Sequence, residues 1–378
     1  MTRADVLIIG GGIAGLMTAW YLAREGTKVT LLEAGDIGAQ ASGANAGSLH
    51  LQIQYPEFVK YGEDWARLYA PTLRFLQASI GMWTDLGDAL GDDLNVKLGG
   101  GIVVARTSEQ MRFIEAKAAI EASVGVETVV LDREALRAAA PYLSDAAIGG
   151  GFCAQEGKAN PLRATPAMAA AAQQAGAEIH CGVTVSGITG RVGAFEVHTS
   201  QGRFRAERIV NAAGANASKV AAMVGMKIDL GGFPLQVTVT EPVAPLIPHL
   251  IYSAAGKLSL KQAANGGCII GGGWAAHIRP DGGLSTDPAN FAGNMVMAAG
   301  VVPSLGQART LRSWTAWVNG TEDWRPIIGE APQTPGFFLA LFPWVGFSAG
   351  PMTARVVADM VMGRPPAFDL AGVSVLAD

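Results

Sequence analysis

The apolar positions of the chain change period several times, and each change marks an element. Ala4 to Ile9 is a short, mostly apolar run of the kind buried in a parallel sheet, Ile13 to Glu25 carries apolar residues at helical spacing and meets Gly26, and Lys28 to Glu33 is apolar again. That order predicts a strand, helix, strand unit with parallel strands. Gly35 to Gly47 is a polar loop of small residues. Two helical stretches follow, Pro56 to Leu76 and Ser79 to Leu90, with Trp65, Met82 and Trp83 at core spacing. Asn95 to Ala105 places Gly99, Gly100 and Gly101 between Val-Lys-Leu and Ile-Val-Val, which predicts entry into a second sheet, and Ser108 to Ile120 reads as a helix.

After Pro141 the pattern turns. Asn160-Pro161 opens an alanine-rich helix that runs to Ala175 and stops at Gly176. Strands over Glu178 to Val185 and Phe195 to Ser200 lead through a Gln201-Gly202 turn into Arg203 to Val210, which ends in Asn211-Ala-Ala-Gly214. Gly232 to Trp274 is strand-rich, with Leu235 to Thr240, Leu258 to Gln262 and Cys268 to Ile270 as candidates. A helix around Asp287 to Ala299 comes next. Strand-like runs near Trp314 and over Phe337 to Leu341 then reach a glycine turn and a last helix, Thr353 to Met362.

Composition narrows the classes. At about 150 residues per domain, 378 residues make roughly two domains. Hydrophobic residues are 49% and charged ones 16%, which suits a compact protein with a large interior or one with a covered partner surface. A net charge of -4 without long Lys/Arg runs argues against nucleic acid as a partner. Cys153, Cys181 and Cys268 lie far apart with no CxxC pair for a metal or a redox disulfide, which fits a reducing, cytoplasmic setting. Val6 to Ala23 is uncharged and nears the length of a membrane span, but Gly10, Gly11, Gly12 and Gly15 divide it into a short strand and a helix, so no transmembrane segment is expected.

Gly10, Gly12 and Gly15 occupy the glycine positions of G-x-G-x-x-G between that strand and that helix. The first permits a tight turn, the second lets a pyrophosphate reach the backbone, and the third brings helix and strand together. N–H groups at the helix start, around Ile13, would face the phosphates. Glu33 ends the second strand, where a carboxylate accepts both ribose hydroxyls and repels a 2′-phosphate. The unit therefore predicts a dinucleotide without that phosphate, and leaves FAD and NAD both open.

Further motifs carry a resemblance. Gln40-Ala-Ser-Gly-Ala-Asn-Ala-Gly-Ser-Leu-His50, Gly157-Lys-Ala-Asn-Pro161 with its helix, the strand holding Val183 and Val185, Asn211-Ala-Ala-Gly214, and Asp323-Trp-Arg-Pro-Ile-Ile-Gly329 through Gly350-Pro351 occur in this order. The ordered set resembles the D-amino-acid oxidase, glycine oxidase and sarcosine oxidase superfamily over nearly the whole chain. The resemblance implies an α/β fold: a Rossmann-type FAD-binding domain, discontinuous over 1–92, 146–225 and 310–378, with a strand-rich α+β substrate domain over 93–145 and 226–309. It implies that Gly10, Gly12, Ile13, Ala14, Gly15 and Glu33 hold the ADP half of FAD. Ser42, Gly43, Asn45, Ala46, Gly47, Ser48 and Leu49 would line the pyrophosphate and approach the isoalloxazine. Val183 would face the adenine through its backbone, Ala213 and Gly214 would pack beside the cofactor, and Gly346, Phe347, Ser348 and Gly350 would form the last turn, before a helix start at Met352. Members with covalent flavin use a His in the second loop or a Cys near the C-terminal strand; Asn45 and the lack of a cysteine after Cys268 imply non-covalent FAD.

The implied reaction is oxidation of a carbon–nitrogen bond, with hydride leaving carbon for flavin N5 and water hydrolysing the imine. Such chemistry asks little acid–base apparatus of the protein, because the cofactor carries the hard step. The chain departs from the family at the substrate: Trp314-Thr-Ala-Trp-Val-Asn319 lacks the Arg with which many members clamp a carboxylate, and Phe342-Pro-Trp-Val345 replaces the usual Gly-His. Candidate replacements are His50, Lys261, Gln262 and Trp344. Lys261 reads equally as a solvated strand lysine and His50 as a scaffold residue, while His277 reads as a surface residue. Leu-Ser-Leu-Lys-Gln262 and Ile-Ile-Gly-Gly-Gly-Trp274 are most similar to the β subunits of opine oxidases and hydroxyproline dehydrogenases. That likeness implies an α subunit, a small iron-sulfur subunit, FMN and an iron-sulfur cluster on or shared with those partners, and a place peripheral to the inner membrane through them. An FAD-dependent 2-hydroxy-acid dehydrogenase and a non-catalytic flavoprotein subunit stay open as alternatives.

Overall fold

The structure, a computed structural model, describes residues 2–377. Its elements collect into two eight-stranded sheets. In the first, six strands run in the order Ile327–Glu330, Phe337–Leu341, Gly202–Asn211, Thr2–Ile9, Val29–Leu32 and Glu178–His180, parallel from Phe337–Leu341 onward, and Phe195–Thr199 and Val185–Thr189 add antiparallel to Gly202–Asn211 in turn. Alternation along Thr2–Ile9 sends Val6 and Ile8 into a helical layer and Leu7 and Ile9 into the opposite face, so the strand is buried on both sides. The helical layer contains Ile13–Arg24, Tyr55–Leu90, Pro161–Gln174 and Gly346–Val361. Asn160 caps its helix by accepting from Leu162 N at 3.0 Å, and Pro161 stands at the first helical position, where its missing N–H costs nothing.

The second sheet runs Thr310–Gly320, Gly231–Pro242, Gly267–Gly271, Gly256–Gln262, Leu250–Ser253, Gly101–Ala105, Gly149–Cys153 and Val129–Asp132. One face packs Ile251, Leu258, Leu260 and Ile270 against Pro288–Val301. The period of two turns Tyr252, Ser259 and Lys261 to the other face, toward residues 48–50.

Several expectations change. The break between the two helices expected over 56–90 falls at Gly62 (φ 80, ψ -174), not between Leu76 and Ser79; the rest of Tyr55–Leu90 is helical, with Pro71 inside it. Trp65 and Trp83 are buried there, as the spacing predicts. The strand expected over Glu178 to Val185 breaks after His180, because Gly182 at φ 70 reverses the chain before Val185–Thr189 begins. Gly149–Cys153 and Thr310–Gly320, in stretches that the resemblance implies for the FAD-binding domain, each pair along their length with a strand of the second sheet. The last helix begins at Gly346, not after Met352, so Gly346, Phe347, Ser348 and Gly350 are helical rather than a turn. Among the described residues, no helix is long and apolar enough to cross a membrane.

Candidate active site

The first strand ends in a cradle with no room for side chains. Gly10 has φ 114, and a Cβ there would overlap the Ala212 carbonyl; one at Gly15 would overlap the Gly10 carbonyl. Both positions demand glycine, and the start of the first helix is left bare of side chains. At Gly12 a Cβ would meet Ser42 Oγ at 2.9 Å. Ser42 Oγ in turn accepts from Ile13 N at 2.9 Å, so a hydroxyl from the second loop already marks the anion position at the helix N-terminus. Glu33 stands beside it, its two carboxylate oxygens oriented by Gly11 N at 2.7 Å and Gly35 N at 2.8 Å. A carboxylate has about four acceptor positions, so two N–H donors leave capacity for a ribose diol. Val183 N donates to Glu33 O at 2.9 Å, which brings the Val183 backbone to the same edge. Asn211 holds the facing turn by accepting from Ala213 N and donating to Ala217 O, with Gly214 at φ 53. This donor set and the bare glycine floor fit FAD.

The second loop is built by its own polar atoms. Asn45 donates to Ala41 O and Ser42 O and accepts from Gly47 N at 2.6 Å, so its side chain is spent on shaping the loop. A Cβ at Gly43 would overlap Gly38 O, and one at Gly47 would overlap Ala159 O. Ser48–Leu49 then pairs with Gly157–Lys158, burying Leu49 in the core. Ser348 clasps this stretch from the last helix: its Oγ accepts from His50 N at 2.8 Å, and its carbonyl accepts from Ser79 Oγ and Trp83 Nε1. Gly350 lies deeper, where a Cβ would meet the Ile13 side chain at 2.6 Å, so it serves the packing of the last helix on the first.

A cavity of about 820 Å³ opens between this loop, the inner face of the second sheet and the start of the last helix. Ala46, Ser48, His50, Ser259, Trp314 and Phe347 are among its walls, and Trp344 closes one side. Trp344 holds φ 60, a conformation stabilised by its indole N–H on Thr321 O and by rings of Trp324 and Phe233 at 5.3 and 4.5 Å. Among the described residues no arginine lines the cavity; its cationic side chains are Lys60 and Lys257, both exposed, with half-buried Glu57 near them.

From His50, Tyr252 and Gln52 in the cavity wall a buried polar chain runs inward. His50 Nδ1 meets Tyr252 Oη at 2.7 Å, and Tyr252 donates to Glu156 Oε1 at 3.0 Å. Glu156 also accepts from Leu51 N, Gln52 N and Gln52 Nε2, at 2.7, 2.9 and 2.9 Å. Lys117 donates to Gln52 Oε1 and to Glu121, which accepts from Ile53 N and Thr128 as well. Burial, followed by the Lys261 charge, pushes the His50 imidazole down to about 3, so the ring is neutral at ordinary pH. Lys261 donates to Ser48 Oγ, and burial with nearby Lys158 pushes its ammonium down to about 7.

Of the residues proposed for the substrate, the fold brings His50 and Trp344 to the cavity. Lys261 reaches it only through Ser48. Gln262 does not reach it: its amide donates to Val243 O, Ala244 O and Gly266 O and accepts from Leu246 N and Ile247 N, so it braces a surface loop. His277 is exposed. Sequence reasoning missed Glu156, Tyr252, Gln52, Lys117 and Glu121. One signal existed: a Cβ at Gly101 would overlap Glu156 Oε2, so the third glycine of Gly99-Gly100-Gly101 makes room for that carboxylate.

Comparison with known proteins agrees with this geometry. The chain is 30% identical over 349 residues to the B subunit of the opine oxidase of Agrobacterium tumefaciens (strain Ach5), covering 90% of this chain and 88% of that protein. It is 28% identical to the beta subunit of the sarcosine oxidase of Rhizobium meliloti (strain 1021), covering 96% of this chain and 85% of the relative. The crystal structure of glycine oxidase from Geobacillus kaustophilus superposes with a TM-score of 0.86 at 25% identity, covering 99% of both chains. A family profile described as FAD dependent oxidoreductase, DAO, matches residues 5–360, and the chain therefore belongs to the DAO family of FAD-dependent oxidoreductases, with FAD as its cofactor.

Proposed function

We propose that the chain oxidises a carbon–nitrogen bond of an amino acid, imino acid or opine, as the FAD-bearing β subunit of a heteromeric dehydrogenase. Gly10, Gly12, Gly15, the Ile13 and Ala14 backbone and Glu33 hold the ADP half of a non-covalent FAD, and residues 42–49 with the start of the last helix hold the rest. Bound FAD supplies the acceptor for a hydride leaving the carbon beside nitrogen. The chain's own task is to present that carbon and its neutral amine within an aromatic-walled cavity.

The observation that carries the reading is geometric: the His50 ring stands in the cavity wall with its Nδ1 engaged by Tyr252, while the Lys261 ammonium is held off behind Ser48. Oxidation of a hydroxy acid needs a base able to take an O–H proton, and such a base works best with a pKa near the working pH. A ring that burial pushes down to about 3 stays neutral, a poor base that still offers one lone pair to an amine N–H. Trp314, Phe347 and Trp344 enclose the apolar part of the substrate, and Lys60 or Lys257 meets a carboxylate at the mouth in place of the missing arginine.

The heteromeric part of the proposal is supported by the relatives that are themselves named as subunits, those of opine oxidase and sarcosine oxidase. An α subunit and a small iron-sulfur subunit, with FMN and a cluster, would carry electrons onward, in the cytoplasm or at the membrane through those partners. Co-expression with the neighbouring reading frames is expected to yield one complex, in which an artificial acceptor plus an opine, a D-amino acid or an imino acid gives the oxo product and the released amine. Rapid peroxide formation by the chain alone in air would contradict the dehydrogenase reading; oxidation of hydroxy acids but no amine would contradict the amine reading.

A further inference from the structure

We infer that Glu156 and Tyr252 are positioning residues that fix the tautomer of His50, so that Nδ1 carries the proton and Nε2 is presented as the acceptor for the substrate amine. This rests on the reading of the cavity as an amine site, but the tautomer itself is a property of the resting protein.

The direction of every hydrogen bond in the buried chain follows from its far end. A lysine ammonium only donates, so Lys117, at 3.1 Å from Gln52 Oε1, settles which end of the Gln52 amide faces it. The Gln52 amino group then points to Glu156 Oε2 at 2.9 Å, and that oxygen must accept. Glu156 Oε1 already accepts from the N–H groups of Leu51 and Gln52, which leaves no place on it for a proton. The hydrogen between Glu156 and Tyr252 therefore belongs to the tyrosine. Having given its one hydrogen away, Tyr252 Oη can only accept from His50 Nδ1, at 2.7 Å. Nε2 is left with its lone pair.

All four side chains behind the ring are buried, Lys117, Gln52, Glu156 and Tyr252 being 0%, 3%, 0% and 7% exposed, and each is engaged by the next, which fixes the order. The same carboxylate anchors the backbone of residues 51 and 52, one step from His50, and Ser348 Oγ holds the His50 N–H on the other side. The ring is thereby held at Nδ1 and at its own backbone.

Selective ¹⁵N labelling of the histidine rings of the FAD-loaded protein reads this directly. The chain has five histidines, and His50→Gln identifies the signal that belongs to position 50. The expected result is a protonated Nδ1 and an unprotonated Nε2. Tyr252→Phe, which leaves the other three donors on Glu156 in place, should turn that signal into a mixture of tautomers and slow flavin reduction by an opine roughly ten- to a hundredfold, the usual cost of losing a partner that orients a ring. Glu156→Gln should keep the tautomer at a cost in stability, because its amide oxygen in the Oε1 place still accepts from Tyr252 while its amino group meets the Gln52 amino group. A protonated Nε2 in the unaltered protein overturns the inference even if both variants fail to fold, and so does an unchanged tautomer in folded Tyr252→Phe. Failure of amines to reduce the flavin, with the tautomer as expected, overturns the functional reading instead.

Discussion

At the end proposed for the pyrophosphate, the cradle is mostly backbone: three glycines and the N–H groups at one helix start, with a hydroxyl on Ile13 N and a carboxylate held by Gly11 N and Gly35 N. All of these lie between residues 10 and 42. At the end proposed for the substrate, the walls and their supports are side chains drawn from strands and helices as far apart as Ser48, Lys117, Glu156, Tyr252 and Ser348. The contrast has a physical origin. A pyrophosphate is the same in every such enzyme and is met by N–H groups that any sequence supplies, whereas a particular substrate needs a particular polarity at a particular ring nitrogen.

If the two ends are separate constructions, substitutions at one should leave the other intact. The largest effect is expected from Lys117→Met, which strands the buried Glu121 charge and should cost about 3–5 kcal/mol of stability in denaturant titration, with FAD affinity unchanged in the folded protein. A matching fall in FAD affinity would join the two regions. Glu33→Ala should act the opposite way, weakening FAD binding by about 1.5–3 kcal/mol, as for hydrogen bonds to a charged group, without altering the His50 tautomer. Gly15→Ala should cost about 1–3 kcal/mol through overpacking against the Gly10 carbonyl, read as a fall in flavin retained on gel filtration.

The last effect, at Lys261, is read as a pH dependence rather than as a fixed loss. Its folded pKa is lowered, from 10.5 to about 7, so between those values the unfolded chain binds more protons than the native one. The sign follows: the burial penalty is fully present below about pH 7 and is relieved as pH rises toward 10.5, at no more than about 1.4 kcal/mol per pH unit. Lys261→Met should therefore raise the melting temperature most near pH 6 and least near pH 10. A constant difference across that range would mean that the lysine is not the titrating group.

The same contrast explains what could be read from the chain. The strand, glycine turn, helix and terminal Glu33 are local, so their spacing alone predicted the cradle, and Asn160-Pro161 likewise announced its helix. Glu156, Tyr252 and Lys117 sit in stretches without a motif; only the pairing of Gly101–Ala105 with both Gly149–Cys153 and Leu250–Ser253 brings them together. Gln262 misled because the strand's alternation sets Lys261 toward the loop at Ser48 and the next side chain away from it. The last helix was placed late because Gly346, Gly350 and Pro351 read as breakers, yet glycine at 350 is what lets that helix lie against Ile13.

The most direct test of amine oxidation is anaerobic mixing of the FAD-loaded chain with matched substrates while the visible flavin band is followed. Opines, D-amino acids or hydroxyproline-like imino acids should bleach it, faster as pH rises and more of the amine is neutral, and the corresponding 2-hydroxy acids should not. Bleaching by the hydroxy acids alone, or by neither class, would contradict the account.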